Sequence, residues 1–168
     1  MSQQSIDSEL AIVESLKTLI RGSVARVRSV EPGTSIGSIA LFADGLVTAA
    51  LCAVASAEWL REHPDNEFWP PEWPHAGYPG MPSDAGLLLR AHHEASSGPG
   101  MRHERRFAML GEALLHLKTE GEFESSIALI VSGTDADDGM VRLAEPIVRS
   151  LNDAATYARW RLAFGLDP

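Results

Sequence analysis

The sequence predicts an α+β fold: a small central, mainly antiparallel β-sheet flanked by N-terminal, central and C-terminal helices. Three observations predict it. Apolar residues recur at three- and four-residue steps from Leu10 to Val24 and again from Phe107 to Leu117, which lines one face of a helix. Ile36 to Ala43 and Ile127 to Val131 are short apolar runs with Ile and Val content that favours strand. Asp44-Gly45 stands between Ile36–Ala43 and a second apolar run, Val47–Val54, the dipeptide most diagnostic of a hairpin. A length of 168 residues suits one domain. It is expected to span 1–168, with a Gly/Pro-rich excursion at about 76–100.

Taken in order, Ser5 or Asp7 is a candidate cap for a first helix from about Ile6 to Val27. Its stripe is Leu10, Val13, Leu16, Leu19 or Ile20, and Val24. Glu31-Pro32-Gly33 ends it. Ile36 to Ala43 is the first strand, and Val47 to Val54 its return, with a helix as the rival for the return because of Ala49, Ala50 and Ala53. Ala55 to Glu62 reads as a short helix with Ser56 as a possible cap. Phe68-Trp69-Pro70-Pro71-Glu72-Trp73-Pro74 is extended or turned by its prolines. Trp69 and Trp73 either pin this loop to the core or stand out as aromatic anchors for a partner.

The excursion carries a possible helix, Asp84 to His93. In the central helix Phe107, Leu110, Ala113, Leu114 and Leu117 form the apolar stripe. Arg105, Arg106, Glu112, Lys118 and Glu120 fall on the polar arc or at the ends, and Gly121 is a left-handed stop. Ile127 to Val131 then lacks polar alternation, which predicts a strand covered on both faces. Ser132 to Gly139 is a loop. Pro146 is at ease only in the first turn of a helix, so the next helix is expected from Leu143–Glu145 to Leu151. Asn152 or Asp153 caps a last helix, Ala154 to Phe164, closed by Gly165.

Catalytic and metal motifs fail on context. Gly33-Thr34-Ser35-Ile36-Gly37 has the G-x-S-x-G form, but a helix precedes it and a strand follows, the reverse of a nucleophile elbow. His103-Glu104-Arg105-Arg106-Phe107 places a phenylalanine where a zinc motif needs its second histidine. Asp135-Ala136-Asp137-Asp138-Gly139 lacks the glycine and glutamate positions of a calcium loop. No G-x-x-x-x-G-K or G-x-G-x-x-G occurs. No catalytic residue, metal ligand or cofactor is assigned. The lone Cys52 excludes an internal disulfide, and its apolar neighbours predict a buried thiol.

The net charge of −9 disfavours nucleic acid and suits a basic partner, although acidity also serves solubility. The N-terminus lacks the pattern of a signal peptide, and no apolar run reaches the ~18 residues of a membrane span. A cytoplasmic location, without membrane contact, is expected. Acidic residues gather around the last strand: Glu120, Glu122 and Glu124 before it, Asp135, Asp137 and Asp138 after it. With Trp69 and Trp73 they are the candidate partner-binding residues.

Several segments resemble one bacterial family. Ile39 to Asp44, the returning run through Ala55, Trp69-Pro70-Pro71-Glu72-Trp73, Leu114 to Phe123, Ile127 to Asp135 and Leu151-Asn152 look like domain-of-unknown-function family 4303. The resemblance covers most of the chain, apart from Ala76 to Gly100. It implies no catalytic signature. It implies an immunity role, in which the chain neutralises a toxin, such as a basic nuclease domain, by binding it. The reading is therefore a non-enzymatic protein-binding module, with a homodimer as an open arrangement. The alternative is a small-molecule-binding protein or small enzyme with a pocket near the Trp69–Trp73 and Asp135 loops.

Overall fold

The computed structural model describes residues 3–76, 84–95, 101–134 and 138–166. Six helices and a four-stranded mixed sheet make an α+β fold. Strands β1 (Ile36–Ala43), β2 (Ala50–Ser56), β3 (His75–Ala76) and β4 (Ala128–Gly133) lie in the order β3-β2-β1-β4. The β1–β2 and β2–β3 pairings are antiparallel, and β1–β4 is parallel.

Register decides which side chains share a face. Ile39 stands beside Val54 and Leu129, and Leu41 beside Cys52 and Val131. Ala40, Ala53 and Ile130 share the opposite face. All of these are buried, so β1 and β4 are covered on both sides, as the unbroken apolar run of β4 predicts. Cys52 is buried, with its thiol donating to the carbonyl of Ala53 at 3.9 Å, and its strand packs on the first helix. Burial pushes the Cys52 thiol up to about 12 although Ser23 nearby opposes the shift, so it is an inert core group.

Helix α1 (Gln3–Val30) starts earlier than expected, with Ser5 and Asp7 inside it. Its buried stripe is Ile12, Val13, Leu16, Ile20, Val24 and Val27. Leu10 is instead exposed, because the turn that carries Glu9, Ile12 and Val13 inward rotates Leu10 away from them. Helix α4 (Met101–Thr119) buries Phe107, Leu110, Ala113, Leu114 and Leu117 as its spacing requires. Arg106 is not on the polar arc. It is buried, and its Nη2 donates to the carbonyl of Leu46 at 2.9 Å. Glu9 pairs with Arg105, and Lys17 with Glu120, so α1 and α4 run side by side in the same direction. Helix α3 (Asp84–Glu94) packs mainly on α1 and sinks Ala85 and Leu89 into the core.

Two further expectations differ from the structure. The β1–β2 connection is not a two-residue hairpin at Asp44-Gly45. It runs to Ala49, and the left-handed residue is the buried Val47 (φ 52°), an uncommon conformation for a β-branched side chain. Asp44 explains the geometry: its carboxylate accepts from the Thr48 hydroxyl and from the N–H groups of Thr48 and Ala49, at 2.6, 2.6 and 3.3 Å. Burial alone would raise the Asp44 pKa, but those bonds and the nearby Arg106 hold it below the usual value. The second correction concerns Pro146. Helix α5 (Asp138–Leu151) begins well before it and carries it inside. Met140, Ala144, Val148 and Leu151 are all buried, and Pro146 is exposed. The packed face outweighs one lost backbone bond, which falls on the exposed side of the helix at Arg142 and Pro146.

Helix α2 (Ala57–Glu62) follows β2 and is capped by Ser56, whose hydroxyl accepts from Trp59 N–H. Gly37 lets α2 come close. A Cβ there would lie 2.8 Å from Leu60 Cδ1 and 2.9 Å from Ala57 Cα. Gly33, at φ 86°, makes the turn after α1. Both glycines of the G-x-S-x-G match thus have structural duties. Helix α6 (Ala154–Ala163), capped by Asp153, closes the fold.

Candidate functional site

Two of the three carboxylates singled out before β4, Glu120 and Glu122, have intramolecular partners. Gly121 takes φ 78°, with its N–H on Lys118 C=O and Glu122 N–H on Leu117 C=O. This Schellman closure satisfies the last carbonyls of α4. It also sets the flanking Glu120 and Glu122 against α1. Glu120 accepts from Lys17 Nζ at 2.7 Å and Arg21 Nη2 at 2.9 Å. Glu122 accepts from Arg21 Nε at 2.9 Å. Glu14 lies 3.0 Å from the same, buried Lys17 ammonium. The Lys17 hydrogen bond holds the Glu120 carboxyl below its ordinary value, and the Glu120 bond in turn raises Lys17. These charges are satisfied within the chain and form a seam between α1 and the end of α4.

Glu124 is exposed in the turn before β4, and its carbonyl receives the N–H of Ile127. Asp138 is exposed in the first turn of α5. Asp135 and Asp137 lie outside the described residues. Glu124 and Asp138 flank opposite ends of β4, which for six residues separates them by roughly 20 Å. Of the acids before and after β4, only Glu120, Glu122, Glu124 and Asp138 are among the described residues, and Glu120 and Glu122 turn to α1 rather than toward Asp138.

The two tryptophans divide. Trp73 is only 3% exposed, and its indole N–H donates to the carbonyl of Asn66 at 2.8 Å. It pins the proline loop to the body of the protein and offers a partner no surface. Trp69 is half-buried and precedes a 3₁₀ turn, Pro70–Glu72, whose Pro70 is buried.

The segment that motif reasoning passed over is α2 with the turns that follow. Ala57 to Pro74 contains Glu58, Glu62, Asp65, Glu67 and Glu72 against a single Arg61. Neither α2 nor the next 3₁₀ turn, Pro64–Asn66, buries any residue. Glu67 pairs with Arg159 of α6 at 3.0 Å. Glu58, Glu62, Asp65 and Glu72 are exposed, and none of their carboxylates makes a hydrogen bond or ion pair with another described residue. Trp59 is half-buried and stacks on the exposed His63, with ring centroids 4.4 Å apart and planes 15° from parallel. The sequence signal for these carboxylates is the charge count, five acids to one base in eighteen residues, next to the Trp69–Trp73 cluster.

A recess lined by Val131, Ser132, Met140, Ala144, Trp160 and Phe164 lies where β4, α5 and α6 meet. Its cavity volume of about 10 Å³ is room for roughly one water, not for a ligand. Its buried hydroxyl, Ser132, already donates to Gly133 C=O. Among the described residues no three His, Cys, Asp or Glu side chains are grouped to hold a metal ion. No helix among them is long and apolar enough to cross a membrane.

No protein-family model matches this chain, and neither a curated protein nor a solved structure does.

Proposed function

We propose that this chain is a non-enzymatic protein-binding module for a basic partner, and that it serves as a cytoplasmic immunity protein, neutralising a bacterial toxin by binding it. The observation that carries the reading is the contrast among its carboxylates. Those of the α1–α4 seam are matched by lysine and arginine, whereas Glu58, Glu62, Asp65 and Glu72 are exposed with no partner among the described residues. Unpaired carboxylates beside half-buried Trp59 and Trp69 suit a basic protein surface, because charge steers the encounter and aromatic burial supplies hot-spot energy. The net charge of −9 acts in the same direction at long range. The finer part of the proposal, toxin neutralisation, rests on the resemblance to family 4303 through Ile39–Asp44, Trp69–Trp73 and Leu114–Phe123.

The test is affinity capture from the native cell lysate with the tagged chain and with a Glu58→Lys, Glu62→Lys, Glu72→Lys variant, at stepped salt. The captured protein is then co-expressed with each. The wild-type chain is expected to hold a basic protein in stoichiometric amount, to release it as salt rises, and to restore growth against it. The variant is expected to do none of these. Equal capture by the variant would refute the surface. Capture without rescue would refute the immunity role.

A further inference from the structure

We draw no further inference here: the strongest candidate, the outward face of α6 where the exposed Ala155 and Ala158 line up with Leu162 (78% exposed) in an apolar stripe, has nothing in the structure to show what covers it.

Discussion

The α1–α4 seam and the α2 shoulder are built from the same acidic residue type with opposite outcomes. At the seam Glu120 and Glu122 sit opposite Lys17 and Arg21, over a core of Leu16, Ile20, Leu114 and Leu117. On the shoulder Glu58 and Glu62 lie on a six-residue helix that has no fully buried residue and reaches the core only through half-buried Trp59 and Leu60. The difference teaches that an acidic stretch in a sequence is not yet an acidic surface. A carboxylate next to a well-placed cation on a neighbouring helix contributes to packing order. One facing only water remains available to an outside cation.

The comparison can be broken most forcefully at the seam's core. Leu114→Ala should destabilise the fold by roughly 2–5 kcal/mol, through lost transfer energy and the cavity left behind. A urea midpoint unchanged from wild type would mean that α4 does not anchor the seam.

Asn152 comes next. Its side chain acts like a neighbouring strand at the edge of β4, accepting from Leu129 N–H at 2.8 Å and donating to Leu129 C=O at 2.7 Å and Val148 C=O at 2.9 Å. Asn152→Ala should cost about 1–3 kcal/mol by leaving buried backbone groups unmatched, measurable in the same urea series.

Ser56→Ala sharpens the shoulder side. Losing the cap should cost about 1 kcal/mol, felt locally because only the half-buried Trp59 and Leu60 tie α2 to the core. Amide exchange should accelerate across Ala57–Glu62 while Leu114 and its neighbours keep their protection. Uniform acceleration would show that α2 unfolds only with the whole chain.

The seam should also be acid-sensitive. The folded Glu120 carboxyl titrates below its ordinary value of 4.5 because of Lys17. Its contribution is therefore complete above the unfolded-state value and declines as pH falls toward the folded one. Glu120→Gln should lower the thermal midpoint near neutrality and flatten its fall below about pH 4.5. Parallel curves for variant and wild type would exclude a role for this pair.

The smallest effect is expected on the shoulder. Glu58→Lys with Glu62→Lys should change stability by no more than about 0.5 kcal/mol, as exposed positions do, even where partner capture is abolished. A large loss of stability would mean that these carboxylates have structural duties like those of Glu120.

Local rules read much of the fold directly. The stripe of α4, the strand Ile36–Ala43, the Ser56 and Asp153 caps and the Gly121 stop each follow from neighbours within a few residues. Local rules failed where a long-range contact prevailed. The Pro146 rule placed the start of α5 too late, because it could not weigh Met140, Ala144, Val148 and Leu151 meeting the core together. The Asp44-Gly45 rule overlooked a side chain that organises a longer turn and leaves the strain on Val47.

The candidate site was less legible. Its charge was countable, but pairing was not: Lys17 and Glu120 lie 103 positions apart, and no periodicity links them. By itself the sequence determined the helices and three of the four strands, the buried thiol and the acidic balance, all properties of composition and short spacing. Only the tertiary structure decided that the two-residue β3 joins the sheet, that β1 and β4 run parallel, that Trp73 is an internal pin, and which carboxylates are exposed rather than paired. Those outcomes depend on which distant surfaces meet, and burial and ion pairing are settled by that meeting.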